Sequence, residues 1–194
     1  MYRSSGRLVF SPSDLITFME SEYASAMERL KLDDPSIADL MDEEDVVLAS
    51  LQTKGYEHED AFTERLKSLG KDVLETKRAT PELTLQATLD AMKSGQEVIT
   101  QGYLSLGQFG GFTDYLIKVP GKSNFGEYHY EVWDTKLSKS LKPYFAIQLC
   151  CYIEMLEAVQ GVRPKEMVIV LGDGTEARLS VENYFAYYLS LIHI

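Results

Sequence analysis

The sequence predicts an α/β (α+β) fold in which helices pack on a mixed central β-sheet. Apolar residues first recur at helical spacing. Three consecutive runs then change to the twofold alternation of strands, and a helix and one more strand follow, giving the order αβββαβ. With 194 residues, 45% of them hydrophobic, the chain fits one domain with a sizeable core and little room for a second.

The elements follow in order. "SPSDLITFMESEYASAMERLKL" opens with helix-start chemistry: Ser11 or Ser13 can cap, Pro12 suits a first turn, and Leu15, Phe18, Met19 and Tyr23 recur at helical spacing. Residues 33–47 hold seven acids and no base, which reads as a solvated connector or helix face. "GYEHEDAFTERLKSLG" places His58, Phe62, Leu66 and Leu69 on one helical face, with Gly70 at its end, and "TPELTLQATLDAMKSG" reads as a helix closed by Gly95. "EVITQGYLSLG", "GGFTDYLIKV" and "YHYEVWDTKL" read as strands separated by turns such as "PGKSNFGE". "PYFAIQLCCYIEMLEAVQG" is a helix from Pro143 to Gly161, "EMVIVLGDG" a short buried strand and turn, and "VENYFAYYL" the start of a last helix. In "LGDG" the glycines read as a tight turn, because no G-x-x-x-x-G-K-[ST] phosphate loop surrounds them.

Bulk properties exclude several classes. No run approaches the roughly 18 to 20 apolar residues of a membrane span, and "MYRSSGRLVF" lacks the features of a signal peptide. A cytoplasmic protein with no membrane partner is the expectation. The net charge of −11 argues against a broad nucleic-acid footprint, although "KLSKSLK", residues 136–142, is locally basic. Cys150 and Cys151 are adjacent, so they form no ordinary intrachain staple, and two thiolates are too few for a four-cysteine cluster. They read as small buried residues in a reduced compartment.

The chemistry concentrates in the strand runs. Alternation puts Asp134 and Lys136 of "YEVWDTKL" on one side, and Trp133 and Thr135 on the other. "GGFTDYLIKV" places Phe112, Asp114 and Leu116 on one face and Thr113, Tyr115 and Ile117 on the other. The strand is therefore apolar on both sides and central, with a partly buried aspartate that needs a partner. A short turn makes these two strands antiparallel neighbours, so Asp114 and Asp134 can meet with Lys136 beside them. Such a set suits a hard divalent cation and phosphodiester hydrolysis. A structural Asp134–Lys136 or Asp114–Lys136 ion pair accounts for the strand pattern equally well. On the following helix Gln148 and Tyr152 are polar groups needing partners, as core satisfiers or as functional groups. His58, on an apolar helix face, is read either as a core histidine or as a ligand.

"GYEHEDAF", "GGFTDYL", "YEVWDTKL" and "QLCCYIEMLEAVQG", in this order, resemble the RecB-like branch of the PD-(D/E)XK nuclease superfamily. The span from "SPSDL" to "VIVLGDG" is similar to the N-terminal nuclease domain of a family of RecB-like nucleases, and the likeness covers roughly residues 10 to 188. The resemblance implies a restriction-endonuclease-like core and hydrolysis of DNA, single- or double-stranded, in repair, recombination or defence. It implies Mg²⁺ or Mn²⁺ held by His58, Asp114, Asp134 and the Thr135 carbonyl, Lys136 as the catalytic lysine, and Gln148 and Tyr152 supporting the site or contacting DNA. Some relatives hold a four-cysteine iron–sulfur cluster. With only the 150–151 pair, no cluster is expected here.

Residues 189–194, "LSLIHI", equal one reading frame of a transposon end sequence used in library adapters, and are read as non-native read-through following a domain of residues 1–188. The native protein is then expected to continue, as relatives do, into an RNase H-like or helicase domain. The rival readings are a catalytically inactive nucleic-acid-binding or scaffold module of the same fold, and an enzyme acting on RNA. Long-read recovery of the locus is expected to show coding sequence past Leu189, and a stop codon directly after "LIHI" would refute the read-through.

Overall fold

Helix α1 (Pro12–Glu20) begins where the sequence places it. Ser11 caps it, and the Asp14 carboxylate accepts from the Ser11 N–H at 2.6 Å. It stops earlier than its periodicity suggests. Ser21 adopts extended backbone, ends α1, and accepts from Ala24 N to cap a separate helix α2 (Glu22–Lys31). Tyr23, expected on the buried stripe, is consequently 74% exposed. The computed structural model describes residues 1–4, 6–40, 46–76 and 79–193, the side chains of residues 46–49 excepted.

A short hairpin, β1 (Tyr2–Ser4) and β2 (Arg7–Val9), precedes these helices. Part of the acidic segment forms a 3-10 turn at Pro35–Leu40, while residues 41–45 of that segment lie outside the described residues. Helix α3 (Val46–Ser68) starts about two and a half turns before the expected "GYEHEDAF". It buries Phe62 and Leu66, but Leu69, predicted on the same face, is 66% exposed, because the chain turns away at Gly70 with φ 79°. Then come β3 (Val73–Glu75), α4 (Pro81–Ser94), β4 (Val98–Leu106), β5 (Phe109–Ser123), β6 (Gly126–Thr135), α5 (Pro143–Gln160), β7 (Glu166–Val170), β8 (Glu176–Ser180) and α6 (Glu182–Ile192). Proline at the first turns of α4 and α5, and left-handed Gly95 and Gly161 at their ends, set those boundaries as the sequence indicates. Helix α6 includes Leu189, Leu191 and Ile192, which pack against the core. Among the described residues no helix is long and apolar enough to cross a membrane.

The sheet is mixed and six-stranded, in the order β3-β4-β5-β6-β7-β8. β3 runs parallel to β4, and β6 runs parallel to β7 through the α5 crossover. The other neighbours are antiparallel. Helices cover both faces of the sheet. On one, α5 buries Ala146, Ile147, Leu149, Ile153 and Leu156 against Ile99, Leu116, Val132 and Ile169. On the other, Phe62 and Leu66 of α3 cover Val98, Tyr115, Trp133 and Val170. The free thiols of Cys150 and Cys151 lie in the first core, where burial pushes both up to about 12.

The twofold alternation breaks at one rung. Ile99 and Leu104 of β4 both enter the α5-side core, although residues five apart on a regular strand face opposite ways. On β5, Leu116 enters that core, and a Cβ on Gly111 would stand 3.0 Å from the Tyr152 hydroxyl in the same layer. Both strands slip without losing register: Thr100 still pairs Tyr115 and Gly102 still pairs Thr113, while Gln101 and Asp114 between them drop out of the ladder. Gln101 carries the distortion, with φ at 53°. Phe112 and Leu116 therefore lie on opposite sides of the sheet, correcting the uniform face expected for Phe112, Asp114 and Leu116.

The "LGDG" glycines form a tight turn after β7. Gly174 has φ 82°, and Gly172 N donates to Ser138 O at 3.1 Å. A Cβ on Gly172 would meet the Leu137 carbonyl oxygen at 2.1 Å, so only glycine admits this approach. We predict that Gly172→Ala costs about 1–3 kcal/mol of unfolding free energy in urea titration. Gly174→Ala, with open space around it, costs only the left-handed backbone penalty of about 1–2 kcal/mol.

Candidate active site

Strands β5 and β6 part at the rung that carries the two aspartates. Their ladder runs up to Tyr115–Trp133 and stops, so Asp114 and Asp134 face one another across a fork with no backbone pairing. Asp114 fills the gap with its side chain: Oδ2 accepts from Thr135 N at 2.9 Å and from Thr135 Oγ1 at 3.0 Å. β6 meanwhile stays paired to β7 beyond the fork, with Thr135 opposite Val170 and Lys136 N donating to Val170 O at 2.9 Å. One strand edge is thus held while the other opens. The carboxylate of Asp114 takes a donor that a longer ladder would have occupied.

Asp134 and Lys136 project together, as their two-residue spacing requires. Lys136 Nζ lies 2.6 Å from Asp134 Oδ2, with the side chains only 23% and 5% exposed. At that distance the ammonium is the partner of the buried Oδ2, and no other donor among the described residues reaches it. Lys136 Nζ also stands 5.5 Å from the Phe145 ring at the start of α5.

Helix α5 closes the α5-side of the fork. Tyr152 Oη donates to the Phe112 carbonyl at 2.6 Å, bracing β5 two residues before Asp114. Burial, with the charges of Asp114 and Asp134 nearby, raises its phenol well above the ordinary range, so it stays a donor. One turn earlier the half-buried Gln148 presents a buried Oε1 that accepts no hydrogen bond from the described residues. Of the two polar residues, Tyr152 is therefore satisfied within the fold and the Gln148 oxygen is not.

His58 reaches the neighbourhood from the other face of the sheet. Its Nε2 lies 3.4 Å from the carbonyl of Val170, the residue paired with Thr135. The structure thus brings Asp114, Asp134, Thr135 and Lys136 together and sets Tyr152 directly behind β5. It leaves His58 at the β7 side of the fork. Among the described residues no group of three or more His, Cys, Asp or Glu side chains is arranged to hold a metal ion.

Two further residues meet here. Gln101, opposite Asp114, donates through Nε2 to Glu59 Oε1, and Tyr115 Oη donates to the Glu59 carbonyl at 2.7 Å. Glu59 was legible only as the neighbour of His58, and nothing in a strand-like "VITQGY" marks a left-handed glutamine.

Electrostatics ties the fork into one unit. Burial pushes the Asp134 carboxyl up to about 7. The Lys136 ammonium opposes this and the Asp114 carboxylate adds to it. Burial also disfavours charge on Lys136, but Asp134, Asp114 and Glu59 outweigh it and hold the ammonium above its ordinary range. No family model matches the chain, and no curated protein matches it significantly.

Asp134 gives a pH signature. Its unfolded value is 3.8 and its folded value about 7, so between these the folded chain holds a proton that the unfolded chain releases. Stability therefore falls as pH rises through that window. In metal-free urea titrations between pH 5 and pH 7.5, Asp134→Asn is expected to remove most of this slope, and equal slopes in the two proteins would contradict the assignment.

Proposed function

We propose that the chain is a divalent-metal-dependent nuclease domain of the RecB-like PD-(D/E)XK type, hydrolysing phosphodiester bonds of DNA. The observation that carries this reading is the fork: where β5 and β6 separate, the Asp114 carboxylate of one strand meets the Asp134–Lys136 pair of the other. The mixed sheet with helices on both faces is compatible with the restriction-endonuclease-like core of that superfamily.

The residues fit a hard cation. Asp134 presents a buried carboxylate whose only cationic partner among the described residues is the Lys136 ammonium, and Asp114 lies across the rung, a donor set of the kind that Mg²⁺ or Mn²⁺ takes alongside waters and phosphate oxygens. Asp114, Asp134 and the Thr135 carbonyl would hold the ion, with His58 approaching from β7. Bound there, it would stabilise charge on the phosphoryl group and lower the pKa of a bound water.

The chain's own residues divide the remaining work. Lys136, kept as an ammonium by the surrounding carboxylates, orients the attacking water and stabilises developing negative charge; it does not act as the base. Thr135 fixes the Asp114 carboxylate through two hydrogen bonds, and Tyr152 fixes the backbone leading to it. The Gln148 oxygen offers an acceptor to a substrate or water donor. Lys139 and Lys142, on the loop leading into α5, extend a positive rim toward backbone phosphates.

A second reading, a binding module of the same fold without hydrolytic activity, is favoured by His58 standing at the Val170 carbonyl and not with the carboxylates. One assay separates these readings and RNA hydrolysis: purified protein with single-stranded DNA, double-stranded DNA and RNA, each with Mg²⁺, Mn²⁺ or EDTA. DNA cleavage that EDTA abolishes is expected, with Asp134→Asn and Lys136→Met each reducing the rate at least about 100-fold. Cleavage by both variants at the wild-type rate overturns the site. Binding of DNA without cleavage supports the second reading.

A further inference from the structure

Gln101 is held in a conformation that costs roughly 1–3 kcal/mol for a residue with a side chain, and such strain persists only where its surroundings enforce it. Glycine would adopt it freely, and asparagine tolerates it better than most residues. Gln101 sits opposite Asp114, in the rung where both strands slip. Its side chain leaves the strand for α3 and donates to the Glu59 carboxylate.

A second contact reaches the same helix residue. Tyr115, next to Asp114 in sequence, donates to the Glu59 carbonyl at 2.7 Å and bonds Thr63 Oγ1 one turn further on at 2.8 Å. The residue across from Asp114 and the residue after it thus both anchor on Glu59, and the residue preceding Glu59 is His58. Tyr115 is fully buried and packs edge-on against Phe62, so α3 is pinned along that turn.

We propose that Gln101 is a positioning residue of the fork: through Glu59 it ties α3 to the slipped rung, fixing where His58 stands relative to Asp114. The proposal rests on the reading of the fork as a metal-dependent site. Gln101 across from Asp114 and Tyr115 next to it both reach Glu59, which places the tether beside the fork and not at a remote point of α3. Glycine at this left-handed position would remove both the strain and the tether.

Mn²⁺ binding by the purified chain, measured calorimetrically, tests this in a cycle of wild type, Gln101→Gly, His58→Ala and the double variant. Gln101→Gly keeps the backbone conformation accessible, so its thermal midpoint is expected at or above that of the wild type. Its Mn²⁺ dissociation constant is nonetheless expected to rise about tenfold, as when an outer partner of a metal ligand is lost. In the His58→Ala background the same change is expected to have no further effect. Wild-type affinity in Gln101→Gly, or effects of the two changes that multiply independently, overturns the proposal while leaving the hydrolytic reading intact. Failure of the wild type to bind Mn²⁺ overturns both.

Discussion

Burial of a carboxylate and an ammonium at the point where two strands part is the constraint around which the rest is arranged. Moving either charge out of water alone costs several kcal/mol. The pair is tolerable because Asp134 and Lys136 neutralise one another and Asp114 and Glu59 add negative potential around the lysine. β6 must be rigid enough to present both groups, and its pairing with β7 through Val170 supplies that rigidity. β5 must stand away, and the Asp114–Thr135 bonds replace the ladder that would otherwise close the gap.

What could be read from the sequence follows from how local each signal is. Pro143, Gly161, Thr80 and Gly95 mark α5 and α4 because capping and left-handed termini act within one turn. The shared side of Asp134 and Lys136 follows from alternation over two residues on a strand with no break. The break at Ser21 was hidden because serine is tolerated inside helices as well as at their caps. β8 was missed because it lies at the sheet edge, where "EARLS" alternates only between half-buried and exposed. The slip at Gln101 could not be foreseen, since glutamine gives no sign of a positive φ. It is set by tertiary contacts from Glu59, Tyr115 and α4, whose Thr88 hydroxyl takes up the Tyr103 N–H.

The two cores divide the labour. The α5 side holds the larger cluster and depends on small residues for close approach: Gly111 admits both Pro12 of α1 and the Tyr152 hydroxyl, neither of which leaves room for a methyl group. The α3 side is aromatic, with Phe62 stacked near Trp133 and edge-on to Tyr115. Arg178 from β8 lies 5.0 Å from the Trp133 ring on that same face. The site therefore sits between a close-packed aliphatic layer, which fixes the strands, and a smaller aromatic layer, which fixes the helix carrying His58.

The ends of the sheet carry a consequence for association. β3 offers three residues, and β8 offers five that include Glu176 and Arg178, both engaged in ion pairs. Short, charged borders of this kind resist strand-by-strand growth of the sheet into a neighbouring molecule. The ladder left open between β5 and β6 beyond Tyr115–Trp133 lies in the interior of the sheet. The gap beside Lys136 is thereby set apart from both borders of the sheet, and a strand added at either border would not reach it.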